Sequence, residues 1–208
     1  MKSNELDVFI NCPFDSEYKP LFEAILFTIA ATGFRARCAL EEDDSGDIRL
    51  DKLCRLIGES PFSVHDLSRT VLHQDGLPRF NMPFELGLVI GAKRFGTKRF
   101  AAKSALVMVS QPYKLPAYLS DIGGNDPHAH RGKVDEVIRI VRQYLGTGIK
   151  DIPFPGPRRL LHGFNEFKVA LPRLAADYNL TPEEIDPLQG YRDYAFFLSA
   201  YLKNFPIV

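Results

Sequence analysis

A chain of 208 residues, 45% apolar and 25% charged, has room for one domain of ordinary size plus an appendage, and the balance of a soluble globular protein. Lys plus Arg and Asp plus Glu both total 26, so the formal net charge is zero; that argues against a general nucleic-acid binder but allows a small anion held by local cations. The three cysteines (Cys12, Cys38, Cys54) contain no Cys-x-x-Cys pair and fit a reduced compartment. No apolar run approaches the roughly 20 residues of a membrane span, and the first residues lack a signal peptide's apolar core. A cytoplasmic protein with no membrane partner is expected.

Asp7 to Asn11 reads as a buried first strand that leaves into the Pro-interrupted loop Cys12-Pro13-Phe14-Asp15. Apolar residues at Leu21, Phe22, Ile25, Leu26 and Ile29 predict an amphipathic helix over Tyr18 to Thr32, closed by Gly33. Phe34 to Leu40 alternates as a second strand. An acidic turn, Glu41 to Asp47, precedes a helix from about Ile48 to Glu59, with Leu50, Leu53, Cys54 and Ile57 on one face. Phe62 to Asp66 is a third strand.

A loop then reaches Asn81-Met82-Pro83-Phe84-Glu85, followed by the apolar or Gly run Leu86 to Ala92. Pro83 suits a first helical turn. The run predicts a helix lying against a sheet, with Asn81 as its cap or else a substrate contact, and Glu85 in its opening turn, where terminal N–H groups would hold the carboxylate. Ser104 to Ser110 is a continuous apolar strand, as expected of a central parallel strand. A short helix and fifth strand are expected between Pro112 and Leu119, and a helix over Arg131 to Leu145. Beyond the stiff connector Asp151 to Pro157, helices are predicted over Arg158 to Asn179 and Tyr191 to Asn204, with a further helix start at Thr181-Pro182-Glu183-Glu184, which has capping-box spacing.

Strands alternating with helices over about 145 residues predict a parallel sheet with helices on both faces. Ligands bind such sheets at the carboxyl ends of the strands, so the loops after strands one and three and the start of the Glu85 helix are expected on one rim. Asp66 either caps a turn or contacts a ribose or base. His65, by alternation, points to the other face and reads as a structural histidine. Ser68 and Arg69 offer a phosphate contact or a plain solvated loop. Phe14, beside Asn11, Pro13 and Asp15, either stacks on a base or plugs the core. Asp121, Asp126, His128 and His130 lack the spacing of a metal site, and Asp121 and Asp126 are expected on the substrate rim; no metal or cofactor is expected. There is no Walker A, Gly-x-Gly-x-x-Gly or nucleophilic Ser elbow.

The Asp7-Val8-Phe9-Ile10 strand, Gly33-Phe34, the Ser45-Gly46-Asp47-Ile48 turn and the Ser60 to Ser68 segment together resemble a Toll/interleukin-1 receptor (TIR) domain. Phe84-Glu85-Leu86-Gly87-Leu88 with Gly91, and Asn11-Cys12-Pro13-Phe14 after the first strand, resemble the related nucleoside deoxyribosyltransferases. In those enzymes a Glu-aliphatic-Gly segment after the third strand supplies the nucleophile. The resemblance covers about Asp7 to Ser110. It implies a flavodoxin-like three-layer α/β domain over residues 1–149, with a helical C-terminal extension over 150–208. It further implies cleavage of an N-glycosidic bond with Glu85 as the key carboxylate, NAD as substrate rather than cofactor, and a defence-type effector; the aromatic-rich tail, for its part, is expected to dimerise the chain or cover the sheet edge, so a homo-oligomer is expected. The alternatives are a nucleoside or nucleotide (deoxy)ribosyltransferase or hydrolase, and a non-catalytic binding or assembly module.

Overall fold

The computed structural model describes residues 4–42, 44, 46–68, 80–112, 119, 126–148 and 153–204. In chain order its elements are β1 (Asp7–Asn11), α1 (Lys19–Ala31), β2 (Arg35–Cys38), α2 (Arg49–Glu59), β3 (Phe62–Asp66), α3 (Asn81–Phe95), α4 (Lys98–Ala101), β4 (Ser104–Val109), β5 (His128–Ala129), α5 (Val134–Gly148), α6 (Pro157–Ala176) and α7 (Tyr191–Asn204). They fall into two compact units, Met1–Pro13 with Arg35–Gly132, and Phe14–Phe34 with Lys133–Val208.

The first unit is built on a five-stranded, all-parallel sheet of order β2-β1-β3-β4-β5. This is the flavodoxin-like order, so the fold class is α/β. β1 and β3 pair with Asn11 beside His65, and β3 and β4 with His65 beside Val107. Because side chains alternate along strands, Phe9, Asn11, His65, Val107 and Val109 share one face. α2 and α3 lie on that face. Phe9 packs with Leu53, Leu56, Ile57 and Val89, while Val107 and Val109 pack with Leu67, Met82, Leu86 and Leu119. All five residues of β1 are buried, as a parallel strand covered on both faces requires.

The expected face of α2 is rotated. Leu53, Leu56 and Ile57 are buried, whereas Leu50 and Cys54 are exposed, because three apolar residues at i, i+3 and i+4 make the tighter stripe. Lys103 is buried at the end of this helix, and its ammonium donates to the carbonyls of Ile57 and Ser60, both at 2.5 Å. Edge strand β2 is held by charge. The buried Asp7 carboxylate accepts from Arg35 (2.5 Å) and Arg37 (2.8 Å), and Arg37 also reaches Glu41 at 2.6 Å. The fifth strand comes later than expected, at His128–Ala129 beside Met108 and Val109. Residues 113–118, where it was placed by pattern, lie outside the described residues.

The second unit is helical. α1 ends as Gly33 predicts. Gly33 takes φ +82°, and its N–H and that of Phe34 close onto the carbonyls of Ala30 and Ile29. Helices α1 and α5, which precede Lys150, cluster with α6 and α7. The aromatic tail packs onto α1: Phe27 meets Phe164 (5.7 Å between ring centroids) and Phe167 (6.0 Å), and Phe167 meets Tyr194 at 5.6 Å. Lys168 pairs with Glu23 at 3.1 Å and Lys19 with Asp186 at 2.5 Å. The Thr181 capping box forms, with Glu184 Oε2 accepting from Thr181 N–H at 2.7 Å, but turns follow it instead of a helix. Asp186-Pro187 stops propagation after one turn, since the residue before a proline disfavours helical backbone.

Candidate active site

In a sheet of this order the crevice lies beyond the carboxyl ends of β1 and β3, where the strand order reverses. β1 ends at Asn11 and β3 at His65-Asp66. Asn11 is buried, and its carboxamide Nδ2 donates to the Met82 carbonyl at 2.8 Å and lies 3.0 Å from His65 Nδ1. One side chain thus joins two strand ends to the first turn of α3. Since Nδ1 of His65 accepts, its proton sits on Nε2, which has no hydrogen-bond partner among the described residues. Complete burial holds this imidazole neutral, with its pKa pushed down to about 3.

α3 carries Glu85 on its buried face. Its inner stripe is Met82, Glu85, Leu86 and Val89, spaced at i, i+3, i+4 and i+7, so Glu85 is one helical step beyond the carbonyl that Asn11 holds. Glu85 is 5% exposed and makes no hydrogen bond among the described residues. Desolvation pushes its carboxyl up from the ordinary 4.5 to about 7, against the opposing charge of Arg49 at the start of α2.

Two expectations about this helix need correcting. The residue before the first turn is Phe80 and no side chain caps it; Asn81 is already helical and exposed. Glu85 therefore stands in the second turn, where N–H groups are spent on the helix ladder and leave none for a carboxylate. Burial, not the helix terminus, tunes it.

Comparison with known proteins finds no family model, no curated protein and no solved structure that matches this chain. The site rests on its own geometry.

Asp66 is wholly buried and faces away from Asn11 and His65, by strand alternation. Its Oδ1 accepts from Ser68 N–H at 2.8 Å, and its Oδ2 lies 3.1 Å from His130 Nε2. His130 Nδ1 in turn accepts from Gly132 N–H at 3.0 Å. Asp66 thereby ties the end of β3 to the turn after β5. Ser68 is half-buried just after β3, Pro13 is buried just past β1, and Asp126 is exposed before β5. Phe14 and Asp15 belong to the helical unit. There Phe14 sits edge-on to Phe22 at 5.2 Å, and Asp15 Oδ1 accepts from Tyr18 N–H at 2.9 Å. Arg69 and Asp121 lie outside the described residues. Among those described, no His, Cys, Asp and Glu side chains cluster as metal ligands do.

The structure adds His65 and Arg49 to the residues singled out by pattern. Alternation shows that His65 and Asp66 face opposite ways, but only strand pairing reveals which face carries α3. Arg49 follows the acidic turn without any motif of its own, and the packing of α2 beside α3 makes it relevant. Among the described residues, the secluded Glu85 carboxyl supplies the group suited, once ionised, to meeting a developing positive charge, beside the neutral His65 and within reach of the Arg49 charge.

Proposed function

We propose that the chain is a TIR-like enzyme that cleaves the nicotinamide–ribose bond of NAD, with Glu85 as the reacting carboxylate. The observation that carries this reading is the seclusion of Glu85 at the carboxyl end of a parallel sheet, on the helix stripe that Asn11 anchors. As the C–N bond breaks, nicotinamide leaves with the bonding pair, which cancels its own ring charge. The ribosyl carbon becomes cationic. Ionised Glu85 on that face stabilises the cation or captures it covalently, until water adds and gives its proton to solvent. A leaving group that departs neutral needs no acid, so one carboxylate suffices. Arg49 supplies a cation for a phosphate, and the Asn11–His65 pair fixes the floor beneath the sugar. A bacterial defence role and a homo-oligomeric state belong to the same reading.

The raised pKa of Glu85 favours a second reading. Near pH 7 the carboxyl is about half protonated, so it is also equipped to give a proton to the neutral base of a nucleoside or nucleotide. That describes a (deoxy)ribosyltransferase or hydrolase. The two readings separate in one experiment: incubation with NAD and with a nucleoside and nucleotide panel at pH 6 and pH 8, with detection of free base. NAD cleavage by ionised Glu85 predicts nicotinamide release that is faster at pH 8. Base released only from nucleosides, faster at pH 6, would establish the second reading. Tight nucleotide binding without any release would make the protein a binding module.

A further inference from the structure

The turn after β5 departs from ordinary backbone. Arg131 takes φ +55° and Gly132 φ +70°, two successive residues in the left-handed region. Gly132 adopts that conformation without strain, but in Arg131 it crowds the Cβ against the following carbonyl. Three hydrogen bonds hold the turn. His130 N–H donates to the Val109 carbonyl and Arg131 N–H to the Ser110 carbonyl, both at 3.0 Å, so the pairing of β4 with β5 runs on past Ala129. Gly132 N–H turns back onto His130 Nδ1 at 3.0 Å. His130 Nε2 in turn lies 3.1 Å from Asp66 Oδ2, with both side chains buried. Apolar side chains of the same volume would hold a strand end at least as firmly as this pair; what the pair adds is a defined position for the turn.

That brace accounts for the left-handed turn but not for the arginine. Glycine or asparagine adopts the same backbone more readily, and the hydrogen bonds that hold the turn use only the Arg131 main chain. Its side chain is exposed and makes no hydrogen bond or ion pair among the described residues. Arg35, Arg37, Arg55 and Arg139, by contrast, each hold a carboxylate. Asp66, Met108 and His128 are in register across β3, β4 and β5, so Arg131 lies beyond the same strand ends as the Asn11–His65 pair. Ligands bind open parallel sheets along that edge. Two strand spacings, about 10 Å, separate β5 from β3, a span that one sugar and one arginine side chain bridge. A guanidinium there, with a forked donor face and no partner of its own, suits a phosphate.

We propose that Arg131 is a phosphate-binding residue. It holds a phosphate of a nucleoside diphosphate group at the β5 end of the crevice, and the Asp66–His130 pair is the brace that positions it. This rests on the reading of the crevice as a nucleotide site. It adds a cation on the side of the sheet away from Arg49, which follows the opposite edge strand β2. It also gives the buried Asp66 a task outside the bond-breaking step. The strained backbone is kept because the side chain has to be presented from that point.

The test is calorimetric titration of the full chain with ADP and with adenosine, which lacks the phosphates. The wild type is expected to bind ADP more tightly than adenosine. Arg131→Asn, whose side chain tolerates left-handed backbone, should weaken ADP binding at least about tenfold and leave adenosine unchanged. Arg131→Lys keeps the charge without the fork and should fall between. Arg192→Asn, at an exposed arginine on α7, should match the wild type. Thermal unfolding should show Arg131→Asn at least as stable as the wild type, since strain is relieved. Equal ADP affinity in wild type and Arg131→Asn, wild-type affinity for ADP no greater than for adenosine, or an equal loss of both ligands in Arg131→Asn would overturn the proposal. Nicotinamide release from NAD by the same proteins keeps the two readings apart. ADP affinity that depends on Arg131 in a protein that releases no nicotinamide supports the phosphate site and removes NAD cleavage. Release with an unchanged KM for NAD in Arg131→Asn does the reverse.

Discussion

Glu85 holds a proton well above the usual carboxylate range, which makes it visible in stability as well as in chemistry. Its folded pKa is about 7 against an ordinary 4.5. Between those values the folded protein keeps a proton that the unfolded chain releases, so stability falls as pH rises. The stabilisation is fully present below about 4.5, and above pH 7 the accumulated loss is about 3 kcal/mol. His65 acts in the opposite sense. Its folded pKa is depressed to about 3, so its contribution is lost as pH falls below its unfolded value. The difference between wild type and Glu85→Gln isolates the carboxyl. In urea unfolding, Glu85→Gln should gain relative to wild type on going from pH 5 to pH 8; parallel profiles would show that Glu85 is not secluded. Asn11 carries the neighbouring prediction. Asn11→Ala removes the donor shared by the Met82 carbonyl and His65 Nδ1, and should cost about 2 kcal/mol. Unchanged stability in the same assay would contradict that tie. Glu85 and Asn11 were legible because a carboxylate beside an apolar run and a polar residue at a strand end are anomalies of pattern. Arg49 and His65 were not, since their relevance comes from which face α3 covers.

At the scale of elements, periodicity located the strands and most helices but not their termini or rotations. α3 was expected to lie against a sheet along its apolar run Leu86 to Ala92, and it does so through one stripe, with Ile90 and Gly87 outside. A run that is apolar all round carries no phase, so pattern cannot choose the inner face. The Thr181 capping box is the converse case. Its local hydrogen bonds formed as the spacing demands, and the following proline ended the helix before it began. In the helical unit Phe164, Tyr194 and Tyr201 of the C-terminal segment surround Phe27 and Phe167, while Tyr178, Phe196 and Phe197 contact one another. Tyr194 on α7 is the exception within that packing. Its hydroxyl is buried without a hydrogen-bond partner among the described residues, and burial with the nearby Glu23 and Asp186 charges pushes its pKa up. Replacing an unsatisfied buried hydroxyl by hydrogen is neutral or favourable, so Tyr194→Phe should change stability by between zero and about +1 kcal/mol. A loss of similar size in thermal unfolding would show that the hydroxyl is bonded in solution.

At the scale of the molecule, the alternation of strands and helices was enough to predict an all-parallel sheet, because crossovers between parallel strands need a helix or its equivalent. The sheet order then places the crevice at the ends of β1 and β3, where Asn11 joins the two strand ends to the first turn of α3. What pattern could not supply was the clustering of the helices, in which α1 and α5 group with α6 and α7 although a boundary was expected between residues 149 and 150. No helix among the described residues is long and apolar enough to cross a membrane. The functional account hangs on one carboxylate, and the most direct test is nicotinamide release from NAD by wild type and Glu85→Gln side by side, with circular dichroism confirming that both are folded. The account predicts steady release by wild type and a loss of at least about a hundredfold in Glu85→Gln. Release at the wild-type rate by Glu85→Gln, or none by either protein, would contradict it.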